Sequence, residues 1–250
     1  NKVWCVQPED YKDCKDANDI LRKYGPEQIR KAIENAAQPP VSKTIALDEV
    51  EDVDINLIKK LPTGIDQLDN ILKGGLPFGQ VILVTGKSGD GKSTLANQFI
   101  VKAIDQQFKT YIYSGELPNY LLKSWIIFQA AGPNHVNQVR RYGGSGGTYE
   151  VKPDAKARII SWMKGYAWIY DNRIVTDEED EPTKLITLLE DVIQRNGVEV
   201  ILLDNLMTAM DLEPDGTSAD KYDRQSKFMK KLARIATSYN VLIILVAHKR

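Results

Sequence analysis

The sequence predicts an α/β fold, with a mostly parallel five-stranded sheet flanked by helices. Strand-length segments rich in β-branched and apolar residues alternate along the chain with segments whose apolar residues recur at the helical period. With 250 residues and 42% hydrophobic content, the chain can bury one sizeable core and still carry an appendage. These observations favour one main domain preceded by a smaller N-terminal part.

The main domain is predicted over residues 62–250. Its strands are expected at residues 81–85, 109–114, 167–171, 198–205 and 241–248. Its helices are expected at residues 64–72, 93–107, 121–131 (mostly buried), 155–166, 185–193 and 224–239. The first strand, VILVT, is rich in β-branched and apolar residues, which is typical of a strand buried on both faces.

Some side chains of the main domain carry more specific expectations. Helical spacing predicts one core-facing set at Ile65, Leu68, Ile71 and Leu72, and a second at Phe228, Leu232, Ile235 and Tyr239. Glycines at 143, 144, 146 and 147 predict a mobile connection. The acidic run 177–182 is expected to open a helix, where negative charge suits the helix dipole.

The N-terminal part is predicted as two short segments. Residues 1–37 are expected to hold a strand at Val3–Val6 and helices at Ala17–Tyr24 and Pro26–Ala37, with too little apolar surface for an independent core. Residues 38–61 are expected to be a linker with one docking helix. Its apolar side chains either fold onto their own core or need another surface; they are Ile55, Leu57, Ile58 and Leu61.

Composition restricts the possible environment and partners. Basic and acidic residues number 33 and 34, so any nucleic-acid partner must meet a local patch rather than a global field. The two cysteines, Cys5 and Cys14, fit neither a zinc spacing nor a disulfide framework. With no apolar run of spanning length and no signal-peptide plan, we expect a soluble cytoplasmic protein without membrane contact, leaving a mitochondrial location open.

The stretch GKSGDGKS, followed by Thr94, carries the strongest chemical signal. Its glycines let successive backbone N–H groups point at one anionic centre, at the positive end of the following helix. Lys92 would reach the β- and γ-phosphates of a nucleotide, and the Ser93 hydroxyl would hold Mg²⁺. The alternative is a plain strand-to-helix turn. The predicted nucleotide-binding residues are Gly86, Lys87, Ser88, Gly89, Asp90, Gly91, Lys92, Ser93 and Thr94.

Three further polar residues follow predicted strands, at the carboxyl edge where ligands bind in such sheets. Asp204 could hold Mg²⁺, or could merely cap a helix. Glu116 could orient a nucleophilic water, or could be an ordinary surface residue before Pro118. His248 could contact a γ-phosphate and report its loss, although a lone histidine is more often structural, as His135 is expected to be.

A basic cluster lies near the end of the chain. It could follow a nucleic-acid backbone, although at helical spacing a solvated face is the commoner explanation, and the preceding loop DLEPDGTSAD is acidic. The cluster is Lys221, Arg224, Lys227, Lys230, Lys231, Arg234, Lys249 and Arg250.

Together these motifs resemble the RecA-like helicase domain of Toprim-linked, DnaB-related ring helicases, the phage primase-helicases and Twinkle. The resemblance rests on CKDAND with LRKYG, LPTGIDQLDNIL, GKSGDGKST, YSGEL, ILLDN and LVAHKR. It implies that residues 1–37 are the end of a Toprim domain. The TGI…LD entry is shared with RadA and KaiC-like ATPases, whereas KDAN and HKR are more specific.

The resemblance also implies residue roles and partners. Glu116 would be the catalytic base, with Lys92 and Ser93 at the phosphates, Ser93 and Asp204 at Mg²⁺, and His248 as γ-phosphate sensor. Gln225, Lys249 and Arg250 become weaker candidates for sensing nucleotide or DNA. The implied assembly is a ring, usually a hexamer, that hydrolyses ATP or another NTP between subunits and moves on single-stranded DNA, with a primase or polymerase as a further partner.

Departures from the pattern leave rival functions open. The acidic metal-binding residues of a Toprim domain are absent from these 250 residues, so primase activity is not implied. The segment that supplies an arginine finger in the family is also absent from them. We therefore expect nucleotide binding with weak hydrolysis unless Lys249 or Arg250 substitutes. The rivals are a RadA-like recombination ATPase, a KaiC-like regulatory ATPase and an inert nucleotide-binding fragment.

Overall fold

A computed structural model describes residues 3–39, 41, 44–139, 148–171, 184–213 and 221–248. The chain divides into two compact units, residues 1–53 and 54–250. This boundary lies inside the predicted linker 38–61, and the three-part division stays a prediction. Within the described residues, no helix combines the length and the apolar character needed to cross a membrane.

The first unit is small and largely helical. Helices α1 (Ala17–Tyr24) and α2 (Pro26–Glu34) lie where they were expected, and α1 is capped by the Asp16 carboxylate, which accepts from Asp19 N–H at 2.8 Å. Its buried apolar residues are Cys14, Ile20 and Ala32, which agrees with the expectation of little core. Cys14 is a buried free thiol and Cys5 an exposed one.

Two expectations for the first unit are wrong. The strand predicted at Val3–Val6 is reduced to one antiparallel bridge between Cys5 and Ala37. The second helix ends at Glu34 and not at Ala37, because the Ala37 backbone exchanges hydrogen bonds of 2.8 and 3.0 Å with Cys5 instead of continuing the helix.

The second unit is built on a parallel five-stranded sheet. Its helices are α3 (Asp66–Ile71), α4 (Lys92–Asp105), α5 (Asn119–Ala131), α6 (Pro153–Met163), α7 (Leu185–Asn196), α8 (Leu206–Asp211) and α9 (Lys221–Tyr239). Its strands are β1 (Lys60–Leu61), β2 (Leu76–Pro77), β3 (Val81–Gly86), β4 (Thr110–Ser114), β5 (Val136–Val139), β6 (Thr148–Val151), β7 (Ala167–Ile169), β8 (Val200–Asp204) and β9 (Leu242–His248). The predicted fold class is confirmed.

Strand order in this sheet is β3-β9-β8-β4-β7, and every pairing is parallel. Alternate side chains of the central strands point to opposite faces. Ile201 and Leu203 of β8 pack on one side with residues of α7, α8 and α9, while Val200 and Leu202 pack on the other with α4 and α5. The two cores hold the strands in one register, so that their carboxyl ends form a common edge.

Several expectations about burial are corrected. Strand β3 lies at an edge of the sheet, and Leu83 is 52% exposed, so this strand is not buried on both faces. Of the set predicted to face the core here, Leu68 on α3 and Leu72 just after it pack against the core, whereas Ile65 and Ile71 are exposed. Tyr239 is exposed, and its hydroxyl accepts from the Gln194 side chain at 2.8 Å.

Helix α5 is half buried and not mostly buried. Leu122, Ile126 and Ile127 face the core, while Trp125 and Phe128 are 45% and 42% exposed. The sheet covers only part of the apolar surface of this helix, so the remaining apolar side chains are exposed to solvent.

The predicted docking helix in the linker does not form. Residues Ile55–Leu57 make a single 3-10 turn, and Lys60–Leu61 pair with β2 as the short strand β1. Leu61 is fully buried, which accounts for one of the four apolar side chains, whereas Ile55 and Leu57 are 64% and 81% exposed.

The antiparallel hairpin β5–β6 was not foreseen. Each strand is only four residues long, which is too short a run for a periodic pattern to predict a strand. The glycines at 143, 144, 146 and 147, and the acidic run 177–182, lie outside the described residues.

Candidate active site

The glycine-rich loop joins the end of β3 to the start of α4. Gly91 precedes the helix with φ of 80°, in the left-handed region that glycine adopts without strain. Lys92, only 7% exposed, donates from Nζ to the Lys87 carbonyl at 2.6 Å, and the Lys87 N–H donates to the Asp90 carboxylate at 2.7 Å. The loop is therefore held in a closed curve by its own side chains.

The remaining loop residues surround this curve. Ser88, Gly89 and Asp90 are exposed at its tip, and Thr94 lies in the first turn of α4, where its carbonyl accepts from Gln129 Nε2 at 2.8 Å. A Cβ on Gly86 would lie 3.0 Å from the Asp90 carboxylate, so the loop also approaches this glycine closely. All nine predicted residues thus lie along the junction between β3 and α4, at the carboxyl edge of the sheet.

Asp204 ends β8 and is 5% exposed. The hydroxyl of Ser93 hydrogen-bonds to its carboxylate, so the two residues predicted to hold a metal are adjacent. Burial raises the pKa of Asp204 above its ordinary value, the nearby Glu116 carboxylate adds to the rise, and the Ser93 hydrogen bond opposes it. The Oδ1 atom of Asp204 is buried and without a hydrogen-bond partner.

This unpartnered oxygen fits a cation. A buried carboxylate atom that lacks a donor costs free energy, and an oxygen-seeking cation such as Mg²⁺ would relieve that cost. Within the described ranges, no group of three or more His, Cys, Asp or Glu side chains could hold a metal ion. A cation here would therefore depend on Ser93, Asp204 and ligands that the protein does not supply, as in nucleotide-bound Mg²⁺.

Glu116 lies just beyond β4, and its two side-chain partners lie at the carboxyl ends of β8 and β9. His248 Nε2, at the end of β9, lies 3.1 Å from Glu116 Oε1. The Asn205 amide, which follows β8, donates to the same oxygen. The structure thus brings together Glu116 and His248, which the sequence had predicted as separate candidates.

Asn205 is the residue that sequence reasoning missed. It is 4% exposed and caps α8, and its Oδ1 accepts from the N–H groups of Met207 and Thr208 at 2.9 and 3.2 Å. Asn is a favoured N-cap, so an Asn directly after a predicted strand and before a helical segment was the available signal. That signal predicts a cap but does not reveal the second contact, with Glu116.

Gly115 allows this arrangement. A Cβ at this position would lie 2.1 Å from Oγ1 and 2.3 Å from Cβ of Thr208, so only glycine fits beside the first turn of α8. Its N–H also donates to the Asp204 carbonyl at 2.8 Å. The close approach brings the backbone before Glu116 against the Asp204–Asn205 segment.

The weaker candidates lie further out. Gln225 on α9 donates from Nε2 to Met207 Sδ at 3.6 Å, so it contacts α8 and not the loop. Lys249 and Arg250 lie outside the described residues. His135 ends the 3-10 turn Pro133–His135 between α5 and β5 and is exposed, so its structural role stays a prediction.

A likeness to a solved structure agrees with this architecture. A KaiC-like protein from the archaeon Pyrococcus horikoshii has a TM-score of 0.52 and 17% identity, and the match covers 77% of this chain and 73% of that one. The shared fold is the parallel five-stranded sheet flanked by helices. At this level of identity the likeness establishes the fold alone.

Sequence comparisons agree with this fold. Residues 61–125, which include the glycine-rich loop and Glu116, match the family model described as "ATPase: KaiC". A UPF0273 protein of Methanocaldococcus jannaschii is 27% identical over 155 residues, 60% of this chain and 57% of that protein.

Two shorter matches carry functional names. The circadian clock oscillator protein KaiC of Prochlorococcus marinus is 45% identical over 73 residues, 28% of this chain and 15% of that protein. The DNA repair protein RadA of Escherichia coli is 36% identical over 70 residues, also 28% of this chain and 15% of that protein. The chain thus matches about half of the archaeal relative and a small part of the other two.

These findings support the coarser part of the resemblance drawn from the motifs. Residues 61–125 are similar to KaiC-type ATPases, and this similarity favours the RadA and KaiC alternatives over the helicase interpretation. These findings give no specific support to a Toprim-linked helicase, and the Toprim origin of residues 1–37 stays a prediction.

Proposed function

We propose that the second unit binds a nucleoside triphosphate, with ATP as the first candidate, and hydrolyses it as a RadA- or KaiC-like ATPase. The observation that carries this proposal is the meeting of three elements at one sheet edge. These are the loop that ends at Ser93, the buried carboxylate of Asp204, and Glu116 in contact with His248.

Each group has a task in this reaction. The backbone N–H groups of the loop and the Lys92 ammonium would bind the phosphates at the positive end of α4. Ser93 and Asp204 would hold Mg²⁺, which when bound neutralises charge on the phosphate oxygens. Glu116 would orient the attacking water and accept its proton, and so needs to be ionised and fixed in direction.

His248 would connect the reaction to the rest of the molecule. The His248 ring contacts the Glu116 carboxylate. His248 is also the last residue of β9, which pairs with β3 from Val81 to Gly86, so that Gly86 lies opposite His248. A change in the γ-phosphate position could thus reach both residues together. This supports the sensor role that the sequence suggested.

The second candidate is a DNA helicase motor, working as a ring on single-stranded DNA. Two observations favour it: the KDAND stretch ahead of the linker, and the His248–Glu116 contact, which suits a γ-phosphate sensor. The basic face of α9 offers a local site for a nucleic-acid backbone.

The experiment is a phosphate-release assay with and without single-stranded DNA, beside Lys92→Ala and a matched surface control, Lys164→Ala. Hydrolysis that needs Lys92 but ignores DNA favours a KaiC-like output. DNA stimulation favours a RadA-like or helicase motor, and duplex unwinding then separates these two. Hydrolysis that is unchanged by Lys92→Ala would contradict the proposed site.

A further inference from the structure

The side chain of Asn205 joins the proposed catalytic carboxylate to the first turn of α8. Its Nδ2 donates to Glu116, and its Oδ1 accepts from two backbone N–H groups of the helix. The nitrogen and the oxygen of the amide therefore bind different neighbours. Because two N–H donors fix the oxygen, the nitrogen has to face Glu116.

Burial restricts the alternatives for this side chain. Asn205 is 4% exposed, and its backbone N–H donates to Thr208 Oγ1 at 3.3 Å, which completes a capping box. By comparison, the Glu116 side chain is 48% exposed, and without a partner it could take many directions. A rigid donor that is fixed by the sheet and the helix thus holds a carboxylate whose other partner, His248, is itself partly exposed.

We propose that Asn205 is a positioning residue for hydrolysis, whose amide holds Glu116 in the direction needed to accept a proton from water. This inference rests on the proposed function, since it assumes that Glu116 is the base. It also implies that α8 and Glu116 move together, because one side chain binds both. Asn205 itself does not touch the reacting atoms.

The rival explanation is that Asn205 only caps α8. Asn and Asp are nearly equal as N-caps, since both present an acceptor oxygen to the helix N–H groups. Only Asn can donate to a carboxylate. Asn205→Asp therefore keeps the cap and removes the contact with Glu116, whereas Asn205→Ala removes both.

The test compares these two variants in the full chain. We would measure kcat and KM for ATP hydrolysis, nucleotide affinity by titration, and Tm. If Asn205 positions Glu116, Asn205→Asp keeps Tm and nucleotide affinity within about twofold and lowers kcat at neutral pH by at least about tenfold. If it only caps, Asn205→Asp hydrolyses like the wild type, and Asn205→Ala loses Tm and activity together.

The separation of kcat from binding and stability is a readout that a purely structural role would not give. A fall in kcat of Asn205→Asp at unchanged nucleotide affinity and Tm supports positioning, and an unchanged kcat overturns it. Asp16→Asn exchanges the same two groups at the cap of α1 and should leave kcat unchanged.

Failure of the proposed function has a different signature. If Glu116→Gln leaves turnover at the wild-type rate, Glu116 is not the base, and both proposals fall. If Glu116→Gln abolishes turnover while Asn205→Asp does not lower it, only the positioning role is wrong.

Discussion

Glu116 illustrates how one residue depends on three strands. It follows β4, contacts His248 at the end of β9 and receives the amide of Asn205 after β8. Its charge also contributes to the raised pKa of Asp204. A change at Glu116 should therefore alter chemistry without altering the fold, because none of its contacts lies in the apolar core.

We expect Glu116→Gln to lower kcat by about 10²–10⁴-fold, because a glutamine keeps the shape of the side chain and cannot accept the proton. Nucleotide affinity should stay within about threefold, since the loop and Lys92 are untouched. Phosphate release and nucleotide titration measure the two quantities. The matched control is Glu150→Gln on β6, which should leave both unchanged. A variant that loses affinity and turnover in parallel would contradict this separation of roles.

Asp204 gives a prediction about stability. Its pKa is raised in the folded state, so the folded protein binds the proton more readily than the unfolded chain, and stability falls as pH rises between the two pKa values. Above that window the buried charge costs free energy. Asp204→Asn removes the charge and should raise Tm at neutral pH by about 2–4 °C for each 1 kcal/mol relieved.

The same substitution should remove a metal effect. In the wild type, Mg²⁺ with nucleotide should raise Tm beyond nucleotide alone, because the ion binds the folded state. In Asp204→Asn that extra rise should vanish. Scanning calorimetry at neutral and acid pH measures both effects, and a variant less stable than the wild type at neutral pH would contradict the first.

At the scale of elements, the junction between β4 and α8 depends on Gly115, because glycine has no side chain to collide with α8. An alanine methyl at position 115 would overlap Thr208, which belongs to the capping box of α8. The backbone would have to move, and the bond between Asn205 and Glu116 would be lost with it. The cost of such overpacking is about 1–3 kcal/mol.

We therefore expect Gly115→Ala to lower both Tm and kcat, with kcat falling more than tenfold. Gly165→Ala is the control: its φ is 82°, which costs about 1–2 kcal/mol in alanine, but its Cβ would meet no atom within 4 Å. That variant should lose stability and keep its turnover. Wild-type kcat in Gly115→Ala would show that the junction does not control Glu116.

The sequence predicted the elements whose signals are local and strong. Apolar strands that end in Asp204 and His248 placed both residues at the edge of a parallel sheet, and the glycine-rich loop had a strand before it and a helix after it. Strand order, which leaves β3 at the edge with Leu83 exposed, depends on pairings far apart in sequence. No local pattern could supply it.

The partners of Glu116 were beyond sequence reasoning for the same reason. Asn205 lies 89 residues from Glu116, and His248 lies 132 residues from it. Their contacts with Glu116 exist because β4, β8 and β9 end together in space. The cap at Asn205 was readable from its neighbours in sequence, but its second function requires the register of the sheet.

At the scale of the whole molecule, the linker carries apolar side chains that its own unit leaves exposed. Ile55 and Leu57 are 64% and 81% exposed in the second unit, although adjacent Leu61 is fully buried. Side chains of this kind are favoured at contacts between subunits, where burial gives about 25 cal/mol per Å² of apolar surface. The ring that the helicase resemblance implies would bury them against a second copy.

We expect the double variant Ile55→Ser and Leu57→Ser to associate at least tenfold more weakly than the wild type, measured by sedimentation velocity with nucleotide present. Its Tm under monomeric conditions should be unchanged within about 2 °C, because neither side chain packs on its own core. Ile71→Ser is the matched control, since Ile71 is 77% exposed on α3 and outside the linker. If both variants weaken association equally, the linker has no special role. If neither does, its apolar residues do not hold copies of this chain together, and the ring loses its structural basis.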